Sequence, residues 1–280
     1  MKVRLVIDST ADVASSVLNR FTVVPLTVHF GDEEYIDGVT IDHKTFYEKL
    51  VESDVLPSTS QASPAEFLKV FEQAVRAGED VVVITVSSKL SGTYQSAMIA
   101  AEEYKGRVFV VDGKTVSIGS GILAELALRL ADSGMSAAQI AERLTNEREN
   151  LRVIAMLDTL EYLKKGGRIS GAAAFAGGIL SIKPVVCIDN GEIKQLGKAR
   201  GSKQGNNLLM KEIEACGGID FEKPILLGFT GLSDLILKKY IEDSVSLWHG
   251  YDEKLRSTPI GSVVGTHAGP GAIAAAFFKK

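Results

Sequence analysis

Residues 81 to 86 read Val-Val-Val-Ile-Thr-Val, a β-branched run with no polar alternation. A strand of that kind is buried on both faces, as in a parallel sheet covered by helices on each side. The segment beyond Ser91 has helical composition, so Ser87 to Thr93 forms the turn at the strand's carboxyl end. That is where open α/β sheets place ligands. Ser91 is a good N-cap residue, Gly92 allows close approach to the backbone, and Thr93 adds a second hydroxyl. Taken alone, the turn has two readings: a simple helix cap, or a set of O–H and N–H donors for an anion.

Strand, turn and helix alternate through the first two thirds of the chain. Val3 to Ile7 is a strand ending in Asp8-Ser9-Thr10-Ala11-Asp12, and a helix is expected to follow to about Asn19. Val23 to Phe30 reads as a second strand, which Pro25 assigns to an edge or a bulge. Asp42 opens a helix that turns Phe46, Tyr47 and Leu50 inward. Ser63-Pro64-Ala65-Glu66 opens the next, with Ser as N-cap, Pro at the first helical position and Glu closing a capping box. Arg107 to Val111 is a strand, followed by helices over about Val116 to Ala131 and Ser136 to Asn150. Strands separated by helices of this length pair in parallel through right-handed crossovers.

Beyond Arg152 to Leu157 the pattern changes. Val185 to Ile188, Asp189-Asn190-Gly191 and Glu192 to Leu196 spell a β-hairpin with an Asn-Gly turn. Ile225 to Thr230 is a strand between helices over Lys203 to Ala215 and Leu232 to Trp248, and Ala272 to Phe278 is a buried strand preceded by a loop. The expected architecture is α/β with two domains. Residues 1–155 form a Rossmann-like domain with a doubly wound, mostly parallel sheet, and residues 156–280 form an α/β domain with a mixed sheet.

Composition removes several function classes. A net charge of −4 over 280 residues gives no general attraction to nucleic acid. Cys187 and Cys216 match no metal-binding spacing and read as free thiols in a reducing compartment. Arg4 and Asp8 interrupt any signal-peptide apolar region, so a cytoplasmic location is expected. Pro259 to Phe278 carries no formal charge, but two prolines, His267 and the glycines at Gly261, Gly265, Gly269 and Gly271 make it a poor spanning helix. No integral membrane insertion is expected.

Four further stretches carry candidate chemistry. Leu56 to Ser63 is rich in hydroxyls, Thr59 among them, and reads equally as an ordinary loop. Gly119-Ser120-Gly121-Ile122-Leu123-Ala124 has the form of a dinucleotide fingerprint, but the preceding strand ends well before Gly119, and helix packing by small residues is the simpler cause. Asp8 stands where a phosphoryl-transfer aspartate would, with capping as the plainer role. In Gly265-Thr266-His267-Ala268-Gly269-Pro270-Gly271, a histidine among glycines is open to close approach and can donate to an anion. Ser91 and His267 also admit a serine-nucleophile reading, although G-x-S-x-G is absent around Ser91.

In their order and spacing these stretches resemble the DegV family, which includes the fatty-acid-binding (FakB) subunit of bacterial fatty acid kinase. The likeness runs over essentially the whole chain. It rests on Val-Ile-Asp-Ser-Thr-Ala-Asp at the start, Thr59-Ser60-Gln61-Ala62-Ser63, Leu90-Ser91-Gly92-Thr93-Tyr94-Gln95-Ser96-Ala97, the Leu160 to Ile169 segment with Gly166-Gly167-Arg168, and the terminal Gly-Thr-His-Ala-Gly-Pro-Gly. Ala62 departs from the family's usual Pro. The resemblance implies a long-chain fatty acid between two α/β domains, its carboxylate held by Thr59, Ser91 with Gly92, and His267. It implies no cofactor and no catalytic machinery in this chain, and a separate ATP-dependent kinase that phosphorylates the bound carboxylate, with Arg168 and Arg200 near the docking surface. The rival readings are a stand-alone serine hydrolase and a lipid sensor without a kinase. The apolar, small-residue segment Ile169 to Ile182 is expected to line part of a tunnel or to pack helices closely.

Overall fold

The computed structural model describes residues 2–169, 182–248 and 250–280. The chain opens with β1 (Val3–Asp8), β2 (Thr22–Val24), β3 (Thr27–Phe30) and β4 (Glu33–Ile36). There follow α1 (His43–Glu52), β5 (Ser58–Ser60), α2 (Pro64–Arg76), β6 (Asp80–Thr85), α3 (Thr93–Ala101) and β7 (Val108–Asp112). Two helices, α4 (Ile118–Asp132) and α5 (Ala137–Glu147), lead to β8 (Leu151–Met156), α6 (Glu161–Lys165), β9 (Ile182–Asp189) and β10 (Glu192–Arg200). The remainder comprises α7 (Gly201–Ala215), β11 (Leu226–Phe229), α8 (Leu235–Asp243), α9 (Val245–Trp248), β12 (Ser257–Pro259), α10 (Ser262–Ala268) and β13 (Ile273–Phe278). No helix among the described residues is long and apolar enough to cross a membrane.

The fold is α/β. A parallel sheet has the order β2-β1-β6-β7, and the β-branched run of β6 lies inside it, buried as its composition requires. A mixed sheet runs β10-β9-β8-β13-β11-β12. Between them lies α4, whose Ile118, Ile122 and Leu123 join one core with Leu5, Ile7 and Val82 on one side and Val153, Ala274 and Phe278 on the other. Each of those large α4 side chains contributes about 1.5–3 kcal/mol by leaving water. The glycines of the fingerprint-like stretch are inside this helix. A Cβ on Gly119 would overlap Val153, and one on Gly121 would overlap the Asp12 carbonyl. Close packing therefore accounts for them.

Local signals and structure agree at the caps and turns. Ser63 and Glu66 form the capping box on α2, and Asp42 accepts from Thr45 N–H at the start of α1. Asn190 and Gly191 take φ of 48° and 83° in the β9–β10 hairpin, the left-handed pair a two-residue turn requires.

Four expectations need correction. The segment after Asp8 forms no α-helix. Asp8 and Asp12 pin it by side-chain bonds and leave only turns and a short 3-10 stretch, Leu18–Arg20. Val23 to Phe30 is two strands, because Pro25 has no N–H to continue a ladder. β2 is an edge of the parallel sheet, while β3 joins a separate antiparallel sheet of order β4-β3-β5. The helix expected over Leu232 to Trp248 breaks at Ser244, whose hydroxyl donates to Tyr240 O at 2.6 Å and accepts from Trp248 Nε1 at 3.0 Å. Lastly, the stretch read as a glycine loop before β13 contains α10. A Cβ on Gly265 would collide with Phe46 and Tyr47, so this glycine serves helix–helix contact with α1.

Candidate functional site

A cavity of about 390 Å³ opens between the carboxyl end of the parallel sheet and the mixed sheet. Its apolar part is walled by Val153, Ala155, Val186, Ile188, Ile193 and Ala274. Ala155 faces Ala274 across β8 and β13 and Val186 across β8 and β9, so small residues in one cross-strand row leave the space unfilled. The polar end holds Thr59, Ser91, Gly92, Arg168 and His267. Of the residues that the resemblance assigns to the carboxylate site or the docking surface, Arg200 alone does not line this cavity. It is exposed where β10 meets α7, its N–H donating to Gln204 Oε1 at 3.0 Å.

Thr59 owes its aim to β5. Pairing with β3 sets Thr59 opposite Val28 and keeps the strand extended, so Ser58 and Ser60 are exposed while Thr59 turns inward. Its Oγ1 lies 2.9 Å from His267 Nε2 in the last turn of α10. The other ring nitrogen, Nδ1, is enclosed against Gly166 and has no hydrogen-bond partner among the described residues. Burial, and after it the Arg168 guanidinium, pushes the His267 pKa down to about 4. The imidazole is therefore neutral at neutral pH. Assigning its proton to Nε2 makes it a donor to Thr59 Oγ1, which leaves the Thr59 hydroxyl proton for a ligand.

Ser91 sits in the turn after β6, where both Leu90 N–H and Ser91 N–H donate to Ser87 O, at 2.9 and 3.1 Å. That turn delays the helix by one residue, so Gly92 and not Ser91 is the N-cap of α3. Ser91 Oγ accepts from Thr93 N–H at 3.2 Å and stands 2.9 Å from Thr93 Oγ1. Gly92 packs directly against the Gln61 amide, which a Cβ at this position would displace. Gln61 Nε2 in turn donates to Ser96 Oγ at 3.0 Å, tying the end of β5 to α3. The sequence reading missed Gln61. Its signal was the pairing of a glycine beside Ser91 with an amide two residues beyond Thr59.

Arg168 Nε donates to Leu90 O at 3.2 Å and its Nη1 to Gly166 O at 2.6 Å, which draws the segment after α6 against the Ser91 turn. The structure thus brings Thr59 and His267 into contact and sets Ser91, Gly92 and Arg168 around the same opening. Asp8 is saturated, accepting Thr10 N–H and O–H at 2.9 and 2.6 Å and Val86 N–H at 2.7 Å. It caps a turn where a helix cap was expected. No group of three or more His, Cys, Asp and Glu among the described residues is arranged to hold a metal ion. The tunnel segment expected from Ile169 to Ile182 lies, apart from its two ends, outside the described residues.

The chain matches known proteins over its full length. A family model described as "Uncharacterised protein, DegV family" matches residues 2–280. A DegV domain-containing protein of Caldanaerobacter subterraneus is 36% identical over 283 residues, covering 100% of this chain and 99% of its own. A solved structure described as fatty acid binding of a DegV family protein from Thermus thermophilus superposes with a TM-score of 0.89 at 32% identity, covering 100% of both chains. A stearic acid-binding protein of Eubacterium ventriosum superposes with a TM-score of 0.86 at 27% identity, covering 100% of this chain and 99% of that one.

Proposed function

The chain belongs to the DegV family, and from that premise we propose that it binds a long-chain fatty acid in the cavity and presents the carboxylate to a separate ATP-dependent kinase. The observation that carries this reading is an apolar cavity whose polar end offers neutral donors, Thr59 backed by a neutral His267 and Ser91 at the start of α3. The Thermus and Eubacterium proteins, described as binding a fatty acid and stearic acid, support the ligand class. Burying a chain of about 16 carbons at about 0.8 kcal/mol per methylene offers on the order of 12 kcal/mol before ordering costs. The tail then supplies affinity, and the head-group donors fix position.

In this reading the chain is a carrier of two α/β domains, 1–155 and 156–280, with the ligand between them. It works in the cytoplasm without a cofactor or catalytic residues of its own. Hydroxyl and N–H donors hold the carboxylate without neutralising it, which leaves an oxygen nucleophilic toward a phosphoryl donor and yields an acyl phosphate. Arg168 beside the opening and Arg200 on the exposed β10–α7 corner are the residues we assign to kinase docking. The hydrolase alternative is disfavoured by geometry. Ser91 is engaged with Thr93, His267 with Thr59, and His267 Nδ1 meets no carboxylate among the described residues.

Native mass spectrometry of the purified protein, before and after incubation with oleate, tests the ligand. A non-covalent fatty-acid adduct is expected, and its absence after incubation sinks the reading. Adding a purified fatty acid kinase and ATP is expected to yield acyl phosphate, and failure with a kinase active on another carrier favours a sensor. Covalent labelling of Ser91 by a serine-directed probe would restore the hydrolase.

A further inference from the structure

Three carboxylates, Asp8, Asp12 and Asp37, are buried where the loop after β1 meets the start of α10. Asp8 is spent on the turns after β1 and β6. The other two reach the first turn of α10, the helix that carries His267 at its far end. Asp12 Oδ1 accepts Gly261 N–H at 2.8 Å, and Asp37 accepts from the N–H and hydroxyl of Ser262. Gly261 sits so close over Asp12 that a Cβ there would lie 3.2 Å from Oδ1. The second Asp12 oxygen accepts the Ser117 hydroxyl at 2.6 Å, and Asp12 N–H donates to Ser117 O at 3.3 Å. Ser117 lines the cavity and holds φ 59° and ψ −133°, a backbone conformation that a non-glycine residue keeps only when its surroundings over-determine it.

We propose that Asp12 is a positioning residue for the head-group site: it bridges Ser117 in the cavity wall to the N-terminus of α10 and thereby sets where His267 stands relative to Thr59. The role rests on reading the cavity as a fatty-acid site. Its mechanics are those of a short rod. α10 has 7 residues and rises about 1.5 Å per residue, so Gly261 and His267 are less than two turns apart and a tilt at one end shifts the other. Tyr47 of α1 supports the rod by donating to Ile260 O at 3.1 Å. The titratable groups set against Asp12 are Asp8 from the end of β1, Asp37 from the loop after β4, and Tyr47 from α1. Burial, opposed by the Ser117 and Gly261 hydrogen bonds, pushes the Asp12 pKa up to about 7, so its charge changes in the neutral range.

A double-variant cycle between Asp12 and His267, read in two ways, tests the assignment. In the ligand-free protein, imidazole 15N NMR is expected to place the His267 titration near 4. In Asp12→Ala the midpoint should rise toward the ordinary value of about 6.5 as Nδ1 is released from its enclosure. Asp12→Asn keeps an acceptor for Gly261 N–H and should stay close to wild type. For oleate, Asp12→Ala should cost about tenfold in affinity, and the double variant Asp12→Ala with His267→Gln should lose no more than the worse single variant. An unmoved His267 midpoint in folded Asp12→Ala, or additive losses, overturns the role. Should Asp12→Ala not fold, oleate affinity of wild type and Asp12→Asn is compared from about pH 6 to about pH 8. The wild type is expected to vary and the Asn variant to be flat, and parallel profiles overturn the role. A wild type that binds no oleate while Asp12→Ala still moves the His267 midpoint refutes the fatty-acid reading and leaves the positioning intact.

Discussion

The two ends of α10 place titratable side chains in similar surroundings and treat them oppositely. At the Gly261 end, Asp12 and Asp37 are surrounded by donors: Gly261 N–H, the Ser262 N–H and hydroxyl, Ser117 and Ser9. At the other end His267 has one partner, Thr59, and a second nitrogen with none among the described residues. Burial drives both toward the neutral form, raising Asp12 and lowering His267. The difference lies in what is left over. The carboxylate end is saturated and acts as an anchor, whereas the histidine end faces the cavity and, with the imidazole proton assigned to Nε2, keeps the Thr59 hydroxyl proton uncommitted. Spare donor capacity beside an apolar space is what a carboxylate ligand needs, and a saturated cluster offers none.

The most damaging way to break the contrast is to move both ends together. Gly265→Leu forces α10 away from Phe46 and Tyr47, and overpacking of this kind costs about 1–3 kcal/mol. It is expected to lower the thermal midpoint and oleate affinity at once, and an unchanged midpoint would show that α10 is not seated on α1. A smaller effect separates the ends by pH. The folded pKa of His267 lies below its unfolded value of 6.5, so its contribution to stability is present above that pH and is lost as pH falls toward about 4. Asp12 has the opposite sign. Raised from 3.8 to about 7, it contributes stability that is present at low pH and is lost as pH rises through about 7. Denaturant titrations between about pH 4 and about pH 7, the range both groups share with opposite sign, should find that His267→Gln lessens the loss as pH falls and Asp12→Asn lessens the loss as pH rises. Slopes equal to wild type in both variants would count against these assignments. The smallest change in stability is expected for Ser91→Ala, about 0.5–1.5 kcal/mol from one hydrogen bond. Its fatty-acid retention should nonetheless weaken clearly, and unchanged retention would remove Ser91 from the site.

Much of the architecture was legible because it depends on neighbours in sequence. The β-branched run of β6, the capping box at Ser63, the Asn190-Gly191 turn and the inward face of α1 are all decided within a few residues. The same holds for the residue types at the site, since hydroxyls beside Gly92 and a histidine among glycines advertise close approach. What was misread has a common cause. The stretch after Asp12, to about Asn19, reads as helical, yet Asp12 is drawn to Ser117 and Gly261, partners remote in sequence. The Gly265 stretch was read as loop because glycine disfavours helices, but packing against α1 overrides propensity. Thr59 reads as part of a loop because a three-residue strand has no periodicity to detect, and β5 exists only through its pairing with β3.

The sequence by itself determined the α/β alternation, most helix starts, the hairpin turn and the inventory of neutral donors, because propensity, capping and turn geometry are local. Only the tertiary structure decided that Thr59 meets His267 across 208 positions of chain and that Asp12 meets Gly261 across 249. Contacts of that separation arise from how sheets and helices stack, and periodicity within a segment carries no record of which distant segment it will face.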